Sequence, residues 1–159
     1  VPVRITHNDT KINNVLFDIE TDEAVCVIDL DTVMPGLSLY DFGDLVRTAA
    51  NPAAEDERDL SLVEMRMGVF EALVEGYLSS AGGVLNDIEI ENMAFSARLL
   101  ALELGMRFLT DHLNGDQYFR VHREGHNLDR CRTQFRLASS FELHEKEMND
   151  FVHKVAKAR

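Results

Sequence analysis

Two short apolar runs near the start of the chain, Val15-Leu16-Phe17 and Ala24-Val25-Cys26-Val27-Ile28, constrain the fold most. They are rich in β-branched residues and too short for helices. The turn formers Glu20-Thr21-Asp22-Glu23 separate them, so the pattern predicts a β-hairpin. A polar loop, His7-Asn8-Asp9-Thr10-Lys11-Ile12-Asn13-Asn14, precedes it, and the carboxylate pair Asp29 and Asp31 closes it. The rest of the chain has helical spacing and reads as scaffold around this hairpin. The expected fold is mainly α with one small β-hairpin, as a single domain over residues 1–159: catalytic-loop hairpin 7–31, helical scaffold 38–157.

The loop fits the spacing H-x-D-x-x-x-x-N, with His7, Asp9 and Asn14 at the fixed positions. Phosphoryl transfer asks a protein for a carboxylate to orient and deprotonate the acceptor hydroxyl, and for oxygen ligands to magnesium. Asp9 suits the first task. Asn14 suits the second, since a neutral amide oxygen is a fitting ligand for a hard cation beside phosphates. Asp29, at the end of an apolar strand, is placed as the main metal carboxylate. Asp31 lies two residues on, and in extended backbone both carboxylates point to one side. Lys11 sits two residues after Asp9, where its ammonium would lie against the transferred phosphate. His7 is expected to brace the loop.

The string Asp41-Phe42-Gly43 imitates a kinase metal-binding motif, but it opens a helix after the turn signal Pro35-Gly36 and does not end a hairpin strand. Asp41 and Asp44 are therefore expected to be structural, as helix-start and loop-bracing carboxylates. Ser38 and Asp41 have capping-box spacing, and the helix they open is expected to reach about Ala50, ahead of Asn51-Pro52. Residues 53–59 read as an acidic loop. A helix with Phe70, Leu73, Val74, Tyr77 and Leu78 on one face follows from Met67 and stops at Gly82-Gly83. Asn86 and Glu89 form a second capping-box signal. They open a long helix to Leu113 that is expected to be central and buried, because its apolar residues go most of the way round. A loop over 115–125 holds Tyr118 and Phe119. The last helix starts near Asn127, with Leu128, Cys131, Phe135, Ala138, Met148, Val152 and Val155 on one face.

Charge removes several function classes. The net charge of −12 and pI near 4.8 exclude a basic nucleic-acid-binding face and disfavour anionic lipid. No apolar run approaches the length of a membrane span. Cys26 and Cys131 lack metal-ligand spacing and read as reduced thiols at or near the core of a cytoplasmic protein. Arg130, Arg132 and Arg136 open a helix, where cations oppose the macrodipole, so acidic partners are expected to hold them. His112, His122, His126, His144 and His153 show no metal spacing and read as surface or capping residues.

Residues 7–50 resemble the C-lobe of the aminoglycoside phosphotransferase and choline kinase superfamily, a protein-kinase-like fold. More narrowly, HNDTKINNVLF, VIDLDTVMPG, YDFGDLVR and REGHNLDRCRTQF are similar to the N-acetylhexosamine 1-kinase family. The resemblance implies ATP and Mg2+ as cofactors, and phosphorylation of the anomeric hydroxyl of an N-acetylhexosamine. It places Asp9 as catalytic base, Asn14 and Asp29 as metal ligands, and Asp31 as a further carboxylate near metal or phosphate. It suggests a sugar site on the long helix and the following loop, with Arg107 and Tyr118 as candidate contacts. Arg107 is equally suited to an ion-pair stripe with Glu103 and Asp111, four residues to either side, and Tyr118 to plain packing.

Such kinases also have an N-terminal lobe, and nothing like it precedes Val1. The resemblance therefore implies an isolated C-lobe with weak ATP binding, little activity alone, and self-association through an exposed inter-lobe face. Kinases of choline, homoserine or an aminoglycoside are alternatives, as is a non-catalytic binding module. A metal-dependent hydrolase built on Asp29 and Asp31 would need a further ligand cluster that the sequence lacks.

Overall fold

The computed structural model describes residues 1–158. Its strands are β1 (Arg4–Thr6), β2 (Val15–Phe17), β3 (Ala24–Val27) and β4 (Met34–Gly36). Its helices are α1 (Ser38–Ala49), α2 (Met67–Ala81), α3 (Asp87–Glu91), α4 (Met93–Leu113) and α5 (His126–Lys157). The molecule is thus mainly helical with two small antiparallel sheets. None of the described helices is long and apolar enough to cross a membrane.

The predicted hairpin forms as β2 and β3, pairing Val15 with Val27 and Leu16 with Cys26, with an irregularity between Leu16 and Phe17. Its turn is held by Asp18, whose carboxylate accepts from the backbone N–H groups of Glu20 (2.9 Å) and Thr21 (3.0 Å). The second sheet, β1 with β4, runs against the expected turn at Pro35-Gly36. Pro35 instead sits in a strand opposite Ile5, where an edge position tolerates its missing N–H. Gly36 is required there, because a Cβ would overlap the Thr6 hydroxyl and the Asn8 side chain.

The core lies among the helices. Phe42, Val46, Phe70, Val74, Leu78, Ala97, Ala101, Leu137 and Phe141 are at most 1% exposed. Phe42 meets Phe70 edge-on at 6.3 Å and Tyr77 at 5.1 Å between ring centroids. Helix α4 packs between α1 and α5, and small residues allow the close approach. A Cβ on Gly43 would run into the Ser96 carbonyl, and one on Gly105 into the Phe135 ring.

Several expectations are corrected here. The single long helix is broken at Asn92 (φ −101°, ψ 6°) into α3 and α4. The buried face of α4 is Met93, Ala94, Ala97, Leu100, Ala101, Gly105 and Phe108, while Phe95 and Met106 remain exposed. The Asn86–Glu89 capping box does form, with both reciprocal bonds at 2.9 Å. The Ser38–Asp41 box does not: Leu37 occupies the cap position and both side chains are used elsewhere. Ser38 Oγ donates to Glu89 at 2.6 Å. Cys131 is buried, but Cys26 is exposed on the hairpin.

Candidate active site

The polar loop is fixed by both ends of α1. The backbone N–H groups of His7 and Asn8 donate to the two Asp41 carboxylate oxygens at 2.8 and 2.7 Å. Thr10 Oγ1 donates to the Asp41 carbonyl at 2.5 Å, and Ile12 N donates to Thr48 Oγ1 at 2.9 Å. Asn8 is held at φ 64°, a left-handed conformation that asparagine tolerates better than most residues. Its side-chain amide donates to the Thr32 carbonyl at 3.1 Å. Thr32 Oγ1 in turn donates to the His7 carbonyl at 2.7 Å, stitching the loop to the segment after Asp29. His7 Nε2 lies 3.0 Å from the Ile28 carbonyl and its Nδ1 faces the Asp9 N–H at 3.3 Å. His7 and Asp41 thus sit where loop bracing was expected. Asp44 does not brace the loop. It is buried and holds Arg47 at 2.7 Å.

Within this frame Asp9, Lys11, Asn14, Asp29 and Asp31 come together. Lys11 Nζ is 2.7 Å from Asp9 Oδ2. Asn14, only 5% exposed, donates its amide to Asp9 Oδ2 at 2.9 Å and faces Asp29 Oδ2 at 3.4 Å. Asp29 sits at φ 64° and opens a single 3-10 turn over Leu30–Thr32. The adjacent Asp31 carboxyl, with desolvation and the Asp9 charge behind it, raises the Asp29 carboxyl above the ordinary carboxylate range. Neighbouring carboxylates such as Asp29 and Asp31 offer oxygen donors suited to a hard divalent cation, while Asn14 meets Asp9 and Asp29 through its amide nitrogen. Among the described residues no three His, Cys, Asp or Glu side chains converge as a preformed metal cage.

On its other side Asp9 opens into a cavity of about 760 Å³. Lys11, Asp44, Arg107 and Tyr118 line the same cavity, so five of the sequence-predicted residues share it, while Asn14, Asp29 and Asp31 stand outside its wall. Arg107 pairs with Glu103 at 4.0 Å, and its guanidinium lies 5.8 Å from the Tyr118 ring centroid and 5.5 Å from that of Phe119. The expected second partner, Asp111, is committed elsewhere. It accepts from the backbone N–H groups of Gln117 (2.9 Å), Tyr118 (2.8 Å) and Phe119 (2.9 Å) and from the Asn127 amide (2.9 Å). Burial pulls the Asp111 carboxyl upward, but these donors outweigh it and leave it below the usual range. Asp111 therefore sets the shape of the loop that presents Tyr118.

Sequence reasoning passed over Tyr40, Arg47, Glu55 and Gln134 and gave Arg130 only a structural role, yet all five also line the cavity. Only the Asp44–Arg47 spacing gave a local signal. Arg130 and Arg132 do have acidic partners, Glu55 (3.4 Å) and Asp129 (3.3 Å), neither of them on the catalytic loop. Arg136 instead donates to the Leu60 carbonyl at 3.3 Å. His126 is buried, not superficial, with Nε2 3.2 Å from Asp56.

Residues 1–78 match the family model described as the phosphotransferase enzyme family, APH. The matched stretch contains the loop, the hairpin, Asp29, Asp31, α1 and most of α2, and it supports the aminoglycoside phosphotransferase and choline kinase superfamily. Arg107, Tyr118 and the long helix α5 lie beyond it.

Proposed function

We propose that the chain is the C-lobe of an ATP-dependent kinase that phosphorylates the anomeric hydroxyl of an N-acetylhexosamine. The observation that carries this reading is the position of Asp9. One of its carboxylate oxygens engages Lys11 and Asn14, and the same residue faces the large cavity. The cavity wall is close to neutral, with Asp9, Asp44, Glu55 and Glu103 against Lys11, Arg47, Arg107, Arg120 and Arg130, in a chain of net charge −12. A wall of interspersed donors and acceptors with aromatic faces between them suits an uncharged polyol, whose hydroxyls need both kinds of partner.

In this proposal the acceptor hydroxyl sits at the cavity end nearest Asp9. Its oxygen bonds to the γ-phosphorus, the β–γ bridging oxygen leaves with ADP, and the hydroxyl proton passes to the Asp9 carboxylate. Lys11 lies against the transferring phosphoryl group. Asn14, Asp29 and Asp31 would hold Mg2+, which when bound neutralises phosphate charge. Arg107 and Tyr118 position the sugar. An acceptor screen tests the assignment. Transfer to N-acetylglucosamine or N-acetylgalactosamine is expected, and transfer only to choline, homoserine or an aminoglycoside would overturn it.

All four β3 residues are exposed, and Ile5, Ile19, Val25, Val27 and Leu30 are each at least half exposed. An apolar face of this kind favours self-association. A strictly monomeric state in sedimentation at high concentration would contradict self-association.

A further inference from the structure

Two segments that frame the Asp9 cavity are fastened to each other behind its wall. Ala53, Ala54 and Glu55 line it from the segment ahead of the 3-10 turn Leu60–Leu62, and Tyr118, Phe119 and Arg120 line it from the loop between α4 and α5. Asp56, next after Glu55, and His122 and Arg123, just beyond Arg120, meet at His126, the first residue of α5. Arg123 donates to Asp56 Oδ2 at 3.0 Å and to Asp129 Oδ2 at 2.6 Å. His126 is only 6% exposed. Its Nδ1 accepts from the His122 backbone N–H at 3.2 Å, and its Nε2 lies 3.2 Å from the same Asp56 oxygen.

These contacts fix where the ring carries its proton. A nitrogen that accepts an N–H holds no hydrogen, so the neutral ring has its own on Nε2, toward Asp56. A second proton can enter only at Nδ1, where it would set N–H against N–H. The charged and titratable groups acting on the ring are Arg130 on its own helix, Asp56 on the 53–59 segment, and Arg123 and His122 on the loop. Burial holds the ring below its ordinary value, Arg130, Arg123 and His122 add to this, and only Asp56 opposes. We propose that His126 is a proton-operated latch on the rim of the cavity. Neutral, it ties the backbone at His122 to α5 beside Asp56. Protonated, it lets that backbone go, and Arg120 leaves the cavity wall, held there only by the exposed bond from Arg130 Nη1 to its carbonyl (3.1 Å). Asp111 and Asp129, both held below the usual carboxylate range, keep their loop contacts, so the opening is local. The open state binds the proton more tightly. The closed rim is therefore complete above about pH 6.5 and is lost as the pH falls through the lower value of the closed ring.

NMR of the chain between about pH 5 and 8 tests the latch. Carbon-bound ring protons report the titration of His126, and hydrogen exchange reports the His122 amide. Protection of that amide, relative to the amide of the fully buried Leu137, is expected to fall about tenfold or more, the loss of one hydrogen bond. The fall should share the midpoint of the His126 titration, and the Arg120 amide resonance should shift with it. In His126→Asn an acceptor remains at the Nδ1 position but cannot titrate, so protection there should become independent of pH. Full protection of the His122 amide on the acid side of the His126 midpoint, in wild type alone, would overturn the proposal. So would a fall that persists unchanged in His126→Asn, which assigns the proton to another group.

Discussion

Residues 1–36 and residues 38–158 are held together by different forces. In the first region the strands are three or four residues long, and β3 is exposed along its whole length. Its geometry comes from polar contacts reaching across the chain: Asp41 to His7 and Asn8, Thr48 to Ile12, Thr32 to His7. In the second region a contiguous set of side chains at or near zero exposure does the work. Almost every proposed catalytic group lies in the polar region, and the cavity lies where the two meet. Catalytic placement and global stability should therefore respond to different substitutions.

The largest separation is expected from the core. Phe141→Ala removes a fully buried ring and should cost about 3–5 kcal/mol in denaturant unfolding, while acceptor preference per folded molecule stays at the wild-type value. Glu89→Ala should cost about 3 kcal/mol, because this buried carboxylate ties the two regions together. It accepts two bonds from Arg4, both at 2.6 Å, one from Ser38 at 2.6 Å, and one from the Asn86 N–H at 2.9 Å.

The same group gives a pH signature. The Arg4 hydrogen bonds, working against burial and helped by Ser38, hold the Glu89 carboxyl down at about 2. In the unfolded chain it returns to about 4.3. Between those values the unfolded state binds more protons, so stability rises with pH. The contribution is complete above the unfolded value and disappears as the pH falls through about 2. Thermal midpoints measured across that window should flatten in Glu89→Gln.

Asp41→Ala should lower stability by only about 1–2 kcal/mol while releasing the His7 and Asn8 amides. Hydrogen exchange at those amides should accelerate far more than at α4. Equal acceleration in both places would erase the contrast between the regions. The smallest effect is expected at Cys26→Ser on the exposed hairpin, within about 0.5 kcal/mol of wild type.

What the sequence disclosed follows the same division. The β2–β3 hairpin, the ends of α1 and α2 and the Asn86–Glu89 box are local features, and local propensity and spacing reveal them. The clustering of Asp9, Lys11, Asn14 and Asp29 was legible because it is built within one short stretch. The β1–β4 pairing was not, since three-residue strands carry almost no pattern and Pro35-Gly36 has the composition of a turn. The break at Asn92 was hidden because helical periodicity runs through it. Glu89 with Arg4 and Arg130 with Glu55 join residues 85 and 75 positions apart, and no local spacing foretells such pairs. Ser38 and Asp41 show the converse: a good local capping signal lost to stronger distant partners, Glu89 and the loop amides.

The most direct test of the account is 31P NMR of the gene product carrying this sequence, supplied with ATP, Mg2+ and N-acetylglucosamine, as wild type and as Asp9→Asn. The account predicts that wild type forms a sugar 1-phosphate and that Asp9→Asn forms it at least about a hundredfold more slowly. An Asp9→Asn rate equal to wild type would contradict it.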